Sequence, residues 1–267
     1  PPPPSAPPQP TRTPDTLHSR QFATLLDLIS EGEIEGFATA SKAGLTKGTT
    51  AYNNAALKDI FLNDTAILQS SASNTSPVST DFNFQDVSFT PRFGTSNQEH
   101  ISGIESSQSI NAVGVTVTNS SPVTRTISNS DVDAVKVTVT FPQIQVATDS
   151  GDLLGSSVNL QIQIQYNGGG FTTLIDDTVK GRTADAYQKE YRVNLTGSFP
   201  VDVKVVRVTA DSTSDSTINS FQFTSFTEII DDKQTYLNSA YTSLRLDSQQ
   251  FSSIPSRKYR IRGIKVR

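Results

Sequence analysis

Apolar and polar positions alternate with a period of two through most of residues 108–228. Val113, Val115 and Val117 alternate with Gly114, Thr116 and Thr118. Val135, Val137, Val139 and Phe141 alternate with Lys136, Thr138 and Thr140. Val158, Leu160, Ile162, Ile164 and Tyr166 alternate with Asn159, Gln161, Gln163 and Gln165. A period of two sets one face on a core and the other in water, so each run predicts a half-buried antiparallel strand. Asn167-Gly168-Gly169-Gly170 predicts a turn into residues 171–175. Tyr187, Tyr191, Val193 and Leu195 form the next apolar face. Residues 201–208 follow, where Val205-Val206 break the alternation and predict a bulge. Phe221, Phe223 and Phe226 close the set.

About seven short strands in roughly 120 residues match the immunoglobulin or fibronectin type III layout of two packed antiparallel sheets. The chain has no Cys and no Trp, which favours the fibronectin-like version. Nearer the start the period changes. Phe22, Leu25, Leu26 and Ile29 fall at i, i+3, i+4 and i+7 and predict one short helix, with Gly32 ending it. Residues 40–105 are rich in Ser, Thr, Asn and Gly. Within them 60–62 and 66–68 flank Asn63-Asp64, a hairpin signal, and Phe82, Phe84, Val87 and Phe89 suggest another strand. The fold class is therefore mainly β.

Composition narrows the chemistry. In 267 residues there is no Cys and no Met, so disulfides, thiolate metal sites and a cysteine nucleophile are excluded. The lack of Met leads us to expect a longer or processed product, and no turn or stop signal follows Arg267. No apolar run approaches the roughly 18 residues that a spanning helix needs. Residues 1–14 are mostly proline and predict an extended, solvated arm. Net charge is −4, yet residues 257–267 hold six basic side chains and no acidic one, leaving the body strongly acidic. Such asymmetry predicts complementary contacts, within the chain or between subunits.

Candidate chemistry is sparse. His18 and His100 stand in polar surroundings, and no Gly-x-Ser-x-Gly elbow accompanies them. Gly44–Thr50 lacks the Gly-Lys-Ser/Thr ending of a phosphate loop. Glu31, Glu33 and Glu35 lack the Asp/Asn ladder of a calcium loop. Asp176-Asp177 and Asp231-Asp232 are neighbours on strands, so each pair points to opposite faces and cannot flank one bond. The basic strand has one stacking aromatic, Tyr259, on an acidic body, which argues against direct nucleic-acid binding. We expect no enzyme, no catalytic residue, no metal and no cofactor.

Several strings carry a resemblance. Residues 25–36 read Leu-Leu-Asp-Leu-Ile-Ser-Glu-Gly-Glu-Ile-Glu-Gly. Gln161-Ile162-Gln163 leads to Asn167-Gly168-Gly169, then Lys180-Gly181-Arg182-Thr183, Arg207 and 209–215. Residues 227–240, 247–251 and 256–263 complete the series. In this order they resemble the central tail-tip hub (host-specificity, protein J type) family of lambda-like long-tailed bacteriophages. The match covers about 20–37 and 105–267 and is weaker between 40 and 105. Glu33 stands where that family has proline, and the proline-rich start also departs from its pattern.

The resemblance implies a structural virion protein at the distal tail tip, made in the host cytoplasm. It implies a homotrimeric hub that closes the tail tube, carries the central fibre and takes part in host attachment and DNA release. It further implies the distal tail ring and small tail-tip proteins as partners, with the host receptor met through a C-terminal part beyond this chain. The division it suggests is a proline-rich, flexible arm at 1–19, hub at 20–105, an inserted fibronectin-like sandwich at 106–228 and hub again at 229–267. Interface residues would be Phe22, Leu25, Leu26 and Ile29 on the helix face, and Arg257, Lys258, Arg260 and Arg262 on the basic strand, facing an acidic neighbour. A surface adhesion module that binds carbohydrate is the alternative, and it calls for exposed aromatic side chains.

Overall fold

The computed structural model describes residues 9–264. Antiparallel strands dominate, in two compact units that interleave along the chain. One comprises 9–19 and Glu105–Asp231; the other comprises Arg20–Ile104 and 232–264.

The first unit is a sandwich. One four-stranded sheet runs in the order Tyr187–Asn194, Ala134–Phe141, Gln222–Asp231, Glu105–Thr116. The other runs Thr172–Gly181, Ser156–Tyr166, Val201–Arg207, Val123–Ile127. The alternating residues meet between them: Val135, Val137, Val139 and Phe141 from one sheet, Val158, Leu160, Ile162 and Val203 from the other, all fully buried. Their alternation fixes the register, since a slip of one residue would turn every apolar side chain to water. The strand Val123–Ile127 has no long alternating run to announce it. Only Val123 and Ile127 are buried, at its two ends.

Two expectations in this unit need correction. No bulge interrupts Val201–Arg207, which pairs in continuous register with Ser156–Tyr166. Its inward residues are Val201, Val203, Val205 and Arg207. Val206 faces outward, and the inward phase passes to an arginine, so the alternation only looked broken. Residues 9–19 are also no flexible arm, because the sandwich satisfies their backbone. Thr13 N–H donates to Leu153 O and Leu153 N–H to Thr11 O, both at 2.9 Å, and Thr16 N–H donates to Arg182 O at 2.9 Å. The Arg182 guanidinium, only 3% exposed, donates to Thr13 O at 3.0 Å and to the Asp15 carboxylate. The remainder of that expectation, residues 1–8, lies outside the described residues.

The second unit is built on a sheet in the order Phe22–Glu31, Ser239–Asp247, Ser88–Phe93. The helix expected at 22–29 is therefore a ten-residue strand. Leu25 and Ile29 turn inward, while Phe22, Leu26 and Leu28 turn outward. Apolar residues on both faces of one strand imitate helical spacing, and ladder pairing with Ser239–Asp247 decides the outcome. The helices stand elsewhere, at Ala38–Lys42 and Thr50–Leu57. The second is capped by Thr49, whose hydroxyl accepts from Tyr52 N–H at 3.2 Å. The hairpin at Asn63-Asp64 joins Ile60–Leu62 to Thr65–Ala66, with positive φ of 47° and 67° at its two turn residues. The predicted strand around 82–89 begins only at Ser88; Phe82, Phe84 and Val87 instead pack against the core from an irregular stretch. That core gathers Phe37, Tyr52, Ile60, Leu62, Ile67, Leu68 and Leu244.

Candidate interaction surfaces

Phe22–Glu31 lies at one edge of its sheet. Its outward residues Phe22, Leu26 and Leu28 are 37%, 38% and 64% exposed. Arg245 on the adjacent strand places its guanidinium 3.5 Å from the centre of the Phe22 ring. Leu25 and Ile29 pack on the core. Of the four apolar residues expected to share a helix face, Phe22 and Leu26 are therefore surface and the other two are structural.

The inward phase of the same strand also carries Asp27. Arg257 donates to it through Nε at 2.6 Å and Nη2 at 2.8 Å, and the Tyr259 hydroxyl donates at 2.5 Å. Burial alone would push the Asp27 carboxyl up, but the bonds from Arg257 and Tyr259 outweigh it and hold the group below its ordinary range. Burial, together with the bond to Asp27, pushes the Tyr259 phenol well above its usual value.

The other described basic residues of the terminal segment have carboxylate partners in their own chain. Lys258 meets Asp64, and Arg262 Nε lies 3.1 Å from Glu35. Arg260 Nη2 reaches the fully buried Asp59 at 2.6 Å. Asp59 also accepts from the Thr39 N–H at 2.5 Å and the Thr39 hydroxyl at 2.9 Å. A buried carboxylate so paired ties Arg260, just past the strand Arg257–Tyr259, to the helix Ala38–Lys42. Arg257, Lys258, Arg260 and Arg262 thus each meet a carboxylate within the chain, and Lys265 and Arg267 lie outside the described residues.

In the sandwich, Asp176 and Asp177 point to opposite faces. Asp177 accepts from Lys189 Nζ at 2.6 Å and the Tyr191 hydroxyl at 2.5 Å, so an edge strand of one sheet is tied to an edge strand of the other. Arg207, 2% exposed, donates to the Asn219 carbonyl and side-chain oxygens, both at 2.8 Å, and to Thr209 O at 3.0 Å. Sequence reading missed Asp27, Asp59, Asp177 and Arg207 as partners. Only Arg207 left a signal, in the broken alternation. His18 is exposed and His100 half-buried. Among the described residues no three His, Asp or Glu side chains come together as a metal-binding set.

A family profile described as "Tip attachment protein J,FNIII-A domain" matches residues 107–232. Tip attachment protein J of Escherichia phage SECphi4 is 30% identical over 259 residues, 96% of this chain and 21% of that protein. The chain is a relative of tip attachment protein J. The protein of the same name from Escherichia phage SECphi27 is 26% identical over 202 residues, 75% of this chain and 16% of that protein. The chain therefore spans about a fifth, or less, of the length of these tip attachment relatives. Among solved structures, Eiger TNF from S. frugiperda matches with a TM-score of 0.20 and 9% identity, over 51% of this chain and 62% of that one. Infectious bursal disease virus Gx strain matches with a TM-score of 0.23 and 10% identity, over 91% and 64%. No shared fold follows at such scores.

Proposed function

We propose that the chain is a structural part of the hub at the distal end of a phage tail. The observation that carries this reading is the 30% identity to tip attachment protein J along nearly the whole chain. Interleaving supports it, because the unit Arg20–Ile104 is completed only by residues 232–264, with the sandwich inserted between. Copies of the chain, three in the simplest ring, would close the tail tube and contact the distal tail ring and small tip proteins. The mechanism is mechanical: a ring holds a closed state, and a signal from the fibre shifts it to an open one that releases DNA. Phe22 and Leu26 are the proposed contact residues on the apolar edge strand. Arg260 and Arg262, both about half exposed, are those on the basic strand.

Cryo-electron microscopy of assembled particles tests this directly. A ring of copies at the distal tail end, with residues 105–231 outside it, is the expected image. Density for the chain on the capsid, or only as a monomer on a cell surface, rejects the proposal.

A further inference from the structure

The outer face of the sheet Thr172–Gly181, Ser156–Tyr166, Val201–Arg207, Val123–Ile127 has an unusual composition for a surface exposed to water. Solvated strand faces commonly carry Lys, Glu and Arg. Here the central strand shows Asn159, Gln161, Gln163 and Gln165, four amides in alternate positions. Beside them on the same face lie Thr173, Asp176 and Thr178 from one neighbour, and Asp202 and Lys204 from the other.

These groups are locked together. Asn159 Nδ2 donates to one oxygen of Asp176 at 2.7 Å, and Gln161 Nε2 to the other at 2.9 Å. Gln163 Nε2 donates to Gln161 Oε1 at 3.1 Å and Thr173 Oγ1 at 3.2 Å. The carboxylate and two amides thus form a fixed array, open to solvent. Among the described residues nothing donates to Asn159 Oδ1, Gln163 Oε1 or Gln165 Oε1, so acceptors remain beside the donors. Two of the charges beside the row are occupied: Asp202 accepts from the Thr126 hydroxyl at 2.5 Å, and Lys204 Nζ stands 3.7 Å from the centre of the Phe171 ring. Phe171 follows the Gly168–Gly170 turn and stays 37% exposed, which places an apolar ring at one end of the amide row.

We propose that this face binds a neutral polysaccharide. An amide offers two donors and a two-lone-pair acceptor in one plane, and a fixed carboxylate accepts a pair of hydroxyls, so the row matches a polymer whose groups both donate and accept. Amides at alternate positions repeat every ~6.6 Å along a strand, so several can meet successive sugar rings. Lys204 covers one face of the Phe171 ring, and the part that stays exposed supplies the apolar surface on which the C–H face of a sugar ring can rest. Among the described residues of this face Lys180, opposite Ser157 at the end away from Phe171, is the one charge left without a partner, and a flat polar surface suits an extended chain better than an apolar peptide. The proposal does not depend on the tail-tip reading. Phe171 is also an exposed aromatic of the kind that a carbohydrate-binding module calls for.

The test uses the full chain and side-chain NH2 signals in 15N-edited NMR. The probes are neutral oligosaccharides of glucose, galactose, mannose and N-acetylglucosamine, with heparin as an anionic comparison. Binding on the order of millimolar is expected for at least one neutral probe, with shifts centred on Asn159, Gln161 and Gln163. Phe171→Ala and Asp176→Ala should each weaken it by at least about tenfold while leaving the protein folded, because both side chains lie at the surface. The proposal is overturned if no neutral probe moves these signals, if the shifts fall on another surface, if only heparin binds, or if neither variant weakens binding.

Discussion

Arg257 grips Asp27 through two parallel hydrogen bonds, Nε to Oδ2 at 2.6 Å and Nη2 to Oδ1 at 2.8 Å. Residues separated by most of the chain are joined by one fork-to-fork contact, the geometry in which guanidinium and carboxylate fit best. Tyr259 adds a third donor to the same carboxylate.

Replacing Asp27 with Asn removes the charge and leaves Arg257 half-buried without its counter-ion. A loss of about 2 kcal/mol is expected, below the figure for fully buried pairs because both side chains retain some solvent. Urea melts at neutral pH measure it. The pair also sets a pH dependence. The folded Asp27 carboxyl lies below its unfolded value, so its stabilisation is present above about pH 4 and is lost as pH falls through the folded pKa. The wild-type chain should lose more stability than Asp27→Asn between neutral pH and pH ~3. Equal losses would show that Asp27 does not control acid sensitivity here.

Gly36 and Tyr52 make a second such pair. Gly36 has φ of +147°, and a Cβ there would stand 2.3 Å from the Tyr52 hydroxyl oxygen. That hydroxyl accepts from the Phe37 N–H at 3.1 Å. Gly36→Ala should cost about 2–3 kcal/mol, from backbone strain and displacement of the ring. Tyr52→Phe should cost about 1 kcal/mol. The double variant should be more stable than the sum of the two losses predicts, since the clash and the hydrogen bond share one oxygen. Strict additivity in a double-mutant cycle would reject this coupling.

Arg207 shows where the sequence stopped being legible. Period-two alternation announced most of the sandwich strands, because their outward residues are polar and their inward residues apolar. It failed at Val205-Val206, where an inward arginine broke the expected apolar phase. It failed again at Phe22–Glu31, where both faces are apolar and the pattern passed for a helix. The carboxylates that pair with the basic strand were not legible at all. Asp27, Asp59, Asp64 and Glu35 are scattered through the first 64 residues, and only tertiary structure brings them to residues 257–262. Replacing Arg207 with Ala should cost about 3 kcal/mol, by orphaning the Asn219 and Thr209 acceptors and opening a cavity. Arg207→Lys should not rescue it, because a single ammonium cannot reproduce the planar fork. A lysine variant of wild-type stability would contradict that assignment.

Tyr191 and Tyr259 should resist ionisation most strongly. Burial and a bond to Asp177 push the Tyr191 phenol up, and burial and Asp27 do the same for Tyr259. Of the seven tyrosines, fewer than all should yield tyrosinate absorbance near pH ~11 while the fold persists. The sign follows from the raised folded values: this stabilisation is complete below the unfolded phenol range near pH ~10 and is lost as pH rises beyond it. Tyr191→Phe should leave the ionisation of the remaining phenols unchanged and lower stability by about 1–2 kcal/mol. Full tyrosinate formation by native protein at that pH would overturn the assignment.

Leu25 and Leu28 belong to one strand yet answer different questions. Leu25 packs on the core of its unit, whereas Leu28 is the most exposed residue of the outward apolar row. Leu25→Ala should cost about 2 kcal/mol or more, read as a lower urea midpoint. Leu28→Ser removes little buried surface and should change stability by less than about 0.5 kcal/mol. A long apolar edge left bare invites pairing, so the proposed hub role requires that assembled tails cover this row. Complementation of a phage lacking the tip protein should therefore separate the two variants. Leu28→Ser, stable in isolation, should enter tails less often than wild type, and Phe22→Ser with Leu26→Ser should enter less often still. If these surface variants assemble as well as wild type while Leu25→Ala fails only through instability, the outward face of Phe22–Glu31 is not a contact of the hub.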